Sequence, residues 1–321
     1  MAGTLILGGG GMVGQKLAAS LAGQSLPDQG DVTLFDMAFP PASAPGSQVV
    51  GNITDASIWP NLLANRPATI FHLASIVSGE AEADYDKGWQ TNMLPFWTFL
   101  EAIRAEQAKG GDWRPRIVFT SSIAVFGAPF PDKIGDTFLS APQTSYGSQK
   151  AVCELMLNDL SRKGAVDGVS IRLPTICVRP GKPNKAASGF FSGIIREPLN
   201  GQPAILPVST DVRHWHASPR SAVRYLRQAA TMDLNDLQER RALSMPGLSC
   251  TVEEQIEALR TVAGQNAVDL IRHEPDETII SIVKNWPRNF DPVRAIELGF
   301  KSEETFRDII DIYLEDDLPK T

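Results

Sequence analysis

The sequence predicts an α/β fold, a doubly wound parallel sheet with a smaller C-terminal lobe. Three observations carry that expectation. The apolar run Leu5-Ile6-Leu7 breaks into four glycines just before a helical pattern at 15–21, compact apolar strands alternate with helices as far as residue 173, and the composition beyond Cys177 shifts to Pro, Gly, Asn and Lys.

The first of these has a chemical meaning. A buried strand that ends in glycines and opens a helix points backbone N–H groups, at the positive end of the helix dipole, toward whatever lies above the turn. That is a seat for a pyrophosphate. The glycines allow two registers, Gly9, Gly11 and Gly14 or Gly8, Gly11 and Gly14. A second strand at 31–36 ends in Asp36, about twenty residues after the last glycine, where a carboxylate accepts hydrogen bonds from the adenine ribose and repels a 2′-phosphate. NAD is therefore expected rather than NADP.

The remaining elements follow in order. Residues 39–48 read as a loop, 49–55 as a short strand and turn, 58–63 as a short helix, and 69–74 as an apolar strand ending in small residues. Trp89, Leu94, Trp97 and Leu100 recur at helical spacing and predict one amphipathic helix over 86–108, its aromatics packing in the core or against a second subunit. A strand at 116–120 carries Ser121 and Ser122 at its end, a helix spans 146–161, and a strand at 170–173 stops at Pro174. Helices are expected at 190–197 and 219–229, a strand at 241–245, a capping box Thr251 to Glu254 opening a helix to 262, a helix capped by Asp291-Pro292, and a last helix over 302–314. The expected division is an NAD-binding domain over 1–176, to which about 212–248 returns, and a substrate-binding lobe from 177–211 and 249–321.

Composition narrows the function classes. With 321 residues, 43% apolar content and a net charge of −7 without a basic block, the chain lacks the clustered cations of a nucleic-acid surface. Cys153, Cys177 and Cys250 are too sparse for a disulfide scaffold and not spaced for zinc, which suits a reducing cytoplasm. There is no apolar segment of membrane-spanning length, so no membrane partner is expected.

Tyr146 and Lys150, four residues apart, share a helix face. A nearby fixed cation favours the phenolate, so Tyr146 is expected to titrate well below its usual value and act as general base, while Lys150 also bonds the nicotinamide ribose. Ser122 is placed to hydrogen-bond the reacting oxygen. His72 reads as a core histidine, and His214 and His216 lack partners at metal-ligand spacing, so no metal is expected. Arg179, Lys182 and Arg213 are cations of the lobe able to hold a carboxylate or phosphate.

These pieces together resemble the extended short-chain dehydrogenase/reductase superfamily, with its Rossmann sheet, the group that includes nucleotide-sugar epimerases and dehydratases. The matching stretches are the glycines from Gly8 to Gly14, Asp36, Asn52-Ile53, His72-Leu73-Ala74-Ser75, Asn92, Phe119 to Gly127, Tyr146 to Lys150 and Arg172 to Ile176. The resemblance implies the register Gly8, Gly11 and Gly14, with Met12 and Val13 beside them. It implies Asn52 and Ile53 at the adenine, Leu73, Ala74, Ser75 and Asn92 along the cofactor, and Pro174 and Thr175 near the nicotinamide. It further implies Ser122, Tyr146 and Lys150 as the catalytic set, and a homodimer through the helices at 86–108 and 146–161. Leu7, Asn52 and Phe126 depart from the residues usual at their positions, which are Thr, Asp and, in the sugar-nucleotide enzymes, Tyr.

A closer resemblance, on residues 76–84, 122–127, 173–184 and 286–291, is to the D-erythronate dehydrogenases within that superfamily. It implies NAD-dependent oxidation of a four-carbon sugar acid at C2. A cation should then hold the substrate carboxylate, and Arg179 or Arg213 is expected there, with Ser78, Ser122 and Thr175 as polar neighbours. The rival is a nucleotide-sugar 4-epimerase with tightly bound NAD, in which Arg213 would grip a pyrophosphate. A third reading is a non-catalytic NAD sensor.

Overall fold

The computed structural model describes residues 3–181 and 186–318. In chain order its strands are β1 (Thr4–Leu7), β2 (Val32–Asp36), β3 (Ser47–Val50), β4 (Thr69–His72), β5 (Arg116–Ser122), β6 (Ile134–Gly135), β7 (Asp167–Leu173), β8 (Thr175–Ile176), β9 (Ala204–Leu206), β10 (Arg213–Ala217), β11 (Ala242–Ser244), β12 (Leu248–Thr251), β13 (Ile271–His273) and β14 (Phe290–Asp291). The helices used below are α1 (Met12–Gly23), α2 (Trp59–Leu63), α3 (Ser78–Ala83), α4 (Tyr85–Asn92), α5 (Leu94–Gln107) and α6 (Ser145–Arg162).

Among the described residues, seven strands form one sheet in the order β11-β7-β5-β4-β1-β2-β3, in which β11-β7, β5-β4, β4-β1, β1-β2 and β2-β3 pair in parallel. The chain direction of the order reverses beside β1, which is where a doubly wound sheet opens a crevice at the carboxyl ends of its strands. Alternation does the packing. Leu5 and Leu7 of β1 and Ile117 and Phe119 of β5 join a buried cluster with Phe96, Phe99, Leu100 and Ile103 of α5 and Cys153 and Leu157 of α6. The glycines, Asp36, Ser122 and Tyr146 all stand on this frame.

The chain divides into two compact units, the first of 1–125, 144–172 and 223–244 and the second of 126–143, 173–222 and 245–321. This differs from the expected division at 126–143, at 173–176 and in the returning segment. Residues 126–143 join the second unit because β6 pairs with the strand Phe290–Asp291, and the returning segment shortens to 223–244 because β10 pairs with β8 and β12.

The single helix expected over 86–108 is two. α4 ends at Asn92 and α5 starts at Leu94, with Pro95 in its first turn, where the missing N–H is tolerated. Phe96 and Phe99 enter the core, whereas Leu94 and Trp97 are 46% and 47% exposed. The short strand and turn expected over 49–55 form, with β3 starting earlier, at Ser47, inside the segment expected as a loop. The capping box at Thr251 forms as expected. The last helix begins at Phe306, capped by Thr305, and Pro292 rather than Asp291 occupies the N-cap of the helix Val293–Glu297. No helix among the described residues is long and apolar enough to cross a membrane.

Candidate active site

The glycine turn is built for close approach. Gly8 has φ +88°, and a Cβ there would lie 2.7 Å from the Ala74 backbone nitrogen at the end of β4. A Cβ on Gly14 would overlap the Gly8 carbonyl oxygen, so the backbone of the turn itself holds position 14 to glycine. Gly11 is different: a Cβ there meets nothing nearer than 3.5 Å, and the residue is the N-cap of α1 with no side chain capping the first turn. An open helix N-terminus above a crowded glycine pair suits a pyrophosphate. Met12 and Val13 follow as the first helical residues, both half-buried.

Asp36 sits at the carboxyl end of β2, and its Oδ2 accepts the Gly10 N–H at 2.9 Å. Gln15 was not singled out by the sequence reading. Its Nε2 donates to Gly9 O at 2.6 Å while its Oε1 accepts the Ala44 N–H at 2.7 Å, pinning the 43–44 loop to the glycine turn. Asn52 is exposed, with Oδ1 accepting the Thr54 N–H, and Ile53 beside it is buried. Leu73, Ala74 and Ser75 leave β4 half-buried. These residues fit a dinucleotide.

Asn92 is only 4% exposed, and its amide is occupied by protein. Oδ1 accepts from Ile76 N at 2.8 Å and Ser75 Oγ at 3.0 Å, while Nδ2 donates to Gln149 Oε1 at 2.7 Å. It fixes the 75–76 backbone against α6. Ser78 begins α3, a helix whose Glu82 accepts the Ser145 N–H at the start of α6.

Tyr146 and Lys150 lie one turn apart on α6, which is capped by Thr144. Lys150 is 3% exposed; its Nζ donates to the Thr120 carbonyl at 2.8 Å and lies 4.8 Å from the Phe119 ring centroid and 5.5 Å from that of Tyr146. Burial pulls the ammonium down to about 8. The Ser122 oxygen accepts the Ala124 N–H at 3.1 Å, which leaves its hydrogen to donate elsewhere.

The expected low Tyr146 value is corrected by the structure. Burial pushes the phenol up to about 12, opposed only in part by a hydrogen bond with Ser75. The helix spacing does put the ammonium beside the ring, but the ammonium turns to Thr120, so desolvation outweighs it.

The second unit holds the other candidates. Pro174 is buried between β7 and β8, and Thr175 Oγ1 lies 2.7 Å from His214 Nε2. Arg179 is half-buried; its own N–H and carbonyl bond Ser192 and Arg196, and no carboxylate pairs with its guanidinium among the described residues. Burial, with Arg196 close by, holds that guanidinium below its usual range. Arg213 donates to Ser249 O at 3.0 Å and pairs with Glu254 at 3.4 Å. Lys182 lies outside the described residues.

His72, His214 and His216 are buried among aromatic rings, and desolvation keeps all three neutral, His72 and His214 down to about 3.

Residues 4–219 match the profile of the NAD dependent epimerase/dehydratase family. The chain belongs to that family. Its members bind NAD, and the chain is an oxidoreductase of that group with NAD as cofactor. It is 41% identical over 317 residues to the D-erythronate dehydrogenase of Haemophilus influenzae, covering 98% of this chain and 99% of the relative. It is 42% identical over 322 residues to the enzyme of the same name from Cupriavidus necator, covering 97% and 98%. Among solved structures, that of a nucleoside-diphosphate-sugar epimerase from Agrobacterium tumefaciens superposes with a TM-score of 0.93 at 52% identity, covering 98% of this chain and 95% of the other.

Proposed function

We propose that this family member oxidises D-erythronate at C2 to 2-dehydro-D-erythronate with NAD. The observation that carries the proposal is end-to-end identity of 41–42% with two enzymes named for that substrate. The geometry supports it, because a small acid needs a cation and Arg179 is a half-buried cation without a carboxylate partner among the described residues.

In this reading the unit of 1–125, 144–172 and 223–244 holds NAD, and the other unit selects the acid. Gly8, Gly11 and Gly14 would seat the pyrophosphate, Asp36 the adenine ribose, and Lys150 the nicotinamide ribose. Bound NAD supplies the hydride acceptor and a positive ring. Ser122 donates a hydrogen bond to the C2 oxygen, Tyr146 as the phenolate takes the hydroxyl proton from that oxygen and becomes the neutral phenol, and Lys150 steadies the phenolate before the transfer. Because Tyr146 is a weak acid in this chain, its activation depends on positive charge brought close to it. Arg179 holds the carboxylate, with Ser78 and Thr175 as polar neighbours.

The second reading, a nucleotide-sugar 4-epimerase, is favoured by the name of the 52% identical structure. The commitment of Arg213 to Glu254 and Ser249 weighs against it, since a pyrophosphate grip needs that guanidinium. Purified protein with excess NAD and either D-erythronate or UDP-sugars separates the two. Sustained NADH absorbance from the acid is expected. Interconversion of the sugars without net NADH would overturn the dehydrogenase reading.

The protein is further read as a cytoplasmic homodimer. Leu94, Trp97 and Leu155 expose apolar surface on α5 and α6, which supports a subunit contact there, and three buried free thiols suit a reducing compartment.

A further inference from the structure

One buried carboxylate joins three elements behind the catalytic set. Glu154 lies one helical turn beyond Lys150 on α6 and is 7% exposed. Its Oε1 accepts the Ser121 hydroxyl of β5 at 2.5 Å and Arg172 Nε of β7 at 2.9 Å, and its Oε2 accepts Arg172 Nη2 at 2.7 Å. Ser121 is the immediate neighbour of Ser122. The paired, two-point grip on Arg172 fixes the carboxylate in orientation as well as place.

We propose that Glu154 is a positioning residue for Ser122, Tyr146 and Lys150, tying the register of α6 to the end of β5. This rests on the proposed roles of those three residues.

Two lines of argument support it. The first is mechanical: Lys150 and Glu154 hold consecutive turns of α6 to Thr120 and Ser121, consecutive residues of β5, so the helix is stitched to the strand at two adjacent points. A slide of α6 would break both. The second is electrostatic. The groups facing Lys150 are Tyr146, Cys153 and Glu154 on its own helix, neutral His72 on β4, the Phe119 face and Thr120 carbonyl on β5, and, through Glu154, Arg172 on β7. Cys153 and, after it, Glu154 oppose the desolvation that draws the ammonium down. A buried lysine without that carboxylate would shed its proton earlier.

The test compares Glu154→Gln with the double variant Glu154→Gln/Arg172→Gln, which also removes the guanidinium that the carboxylate grips. NAD affinity is measured by calorimetry from pH 6 to 10, alongside thermal unfolding and kcat. The expected result is an alkaline loss of NAD affinity beginning about one pH unit lower in both variants, with kcat lowered about 10- to 100-fold. The double variant recovers thermal stability but keeps the displaced limb. A double variant with wild-type kcat and an unmoved limb would overturn the proposal and leave the network as scaffolding. Because the NAD limb is read without substrate, failure of D-erythronate as substrate would be seen separately.

Discussion

Lys150 Nζ is held 2.8 Å from the carbonyl of Thr120, two residues before Ser122. A buried ammonium on a neutral acceptor is a cation with attraction to spare. Replacing Lys150 by Met is expected to weaken NAD binding at least about tenfold and to lower kcat. Tyr146→Phe should lower kcat about 1,000-fold with NAD affinity nearly unchanged. Steady-state kinetics with calorimetric NAD titrations check both, and a Tyr146→Phe enzyme turning over at the wild-type rate would remove the phenol from the reaction.

The glycine turn makes two different predictions for two similar changes. Gly8→Ala forces a left-handed backbone on alanine and sets its methyl against Ala74, so a loss of about 1–3 kcal/mol in stability is expected. Gly11→Ala has room for the methyl and should fold normally, yet bind NAD more weakly because the methyl stands at the open end of α1. Thermal melts and NAD titration of the two variants distinguish fold from ligand seat.

Arg179 and Arg213 are expected to separate cleanly. Arg179→Gln should raise the KM for D-erythronate about 10- to 100-fold, the loss of a charge-assisted bond, without changing NAD affinity. Arg213→Gln, whose partner is Glu254, should change KM less than about threefold. The reverse ranking would move the carboxylate site to Arg213.

Three buried histidines set a pH dependence of stability. Each has a folded-state value below the usual 6.5, so below that pH the unfolded chain takes up protons that the folded chain refuses. Stability is full above about pH 6.5 and declines as pH falls; at pH 5 the decline is about 2 kcal/mol for each histidine that remains neutral in the fold. Denaturant unfolding between pH 8 and 5 measures the slope, and NMR should show the His72, His214 and His216 rings untitrated at pH 5.

Much of the fold was legible because its signals are local. The glycines, Asp36 and the Tyr146 to Lys150 spacing each lie within one strand, turn or helix, and the structure sets them where the periodicity implies. The break at Met93 was less visible, since the apolar period runs on through it and only Pro95 marks the new start. Two things lay beyond sequence reading. The raised Tyr146 value comes from burial by surrounding chain rather than from the lysine four residues away. Glu154, Ser121 and Arg172 are 33 and 18 residues apart along the chain, and only the sheet order brings them together. Gln15 escaped for the same reason, its partners lying in a loop almost thirty residues on.

The Ala124 N–H bound to the Ser122 oxygen has a meaning of its own. The backbone takes one of the hydroxyl's two lone pairs and leaves its hydrogen to give. Donated to the reacting oxygen, that hydrogen makes a bond that tightens as electron density gathers there. The contact therefore favours an alkoxide over the alcohol that precedes it, so its strength grows along the reaction rather than being exhausted on binding.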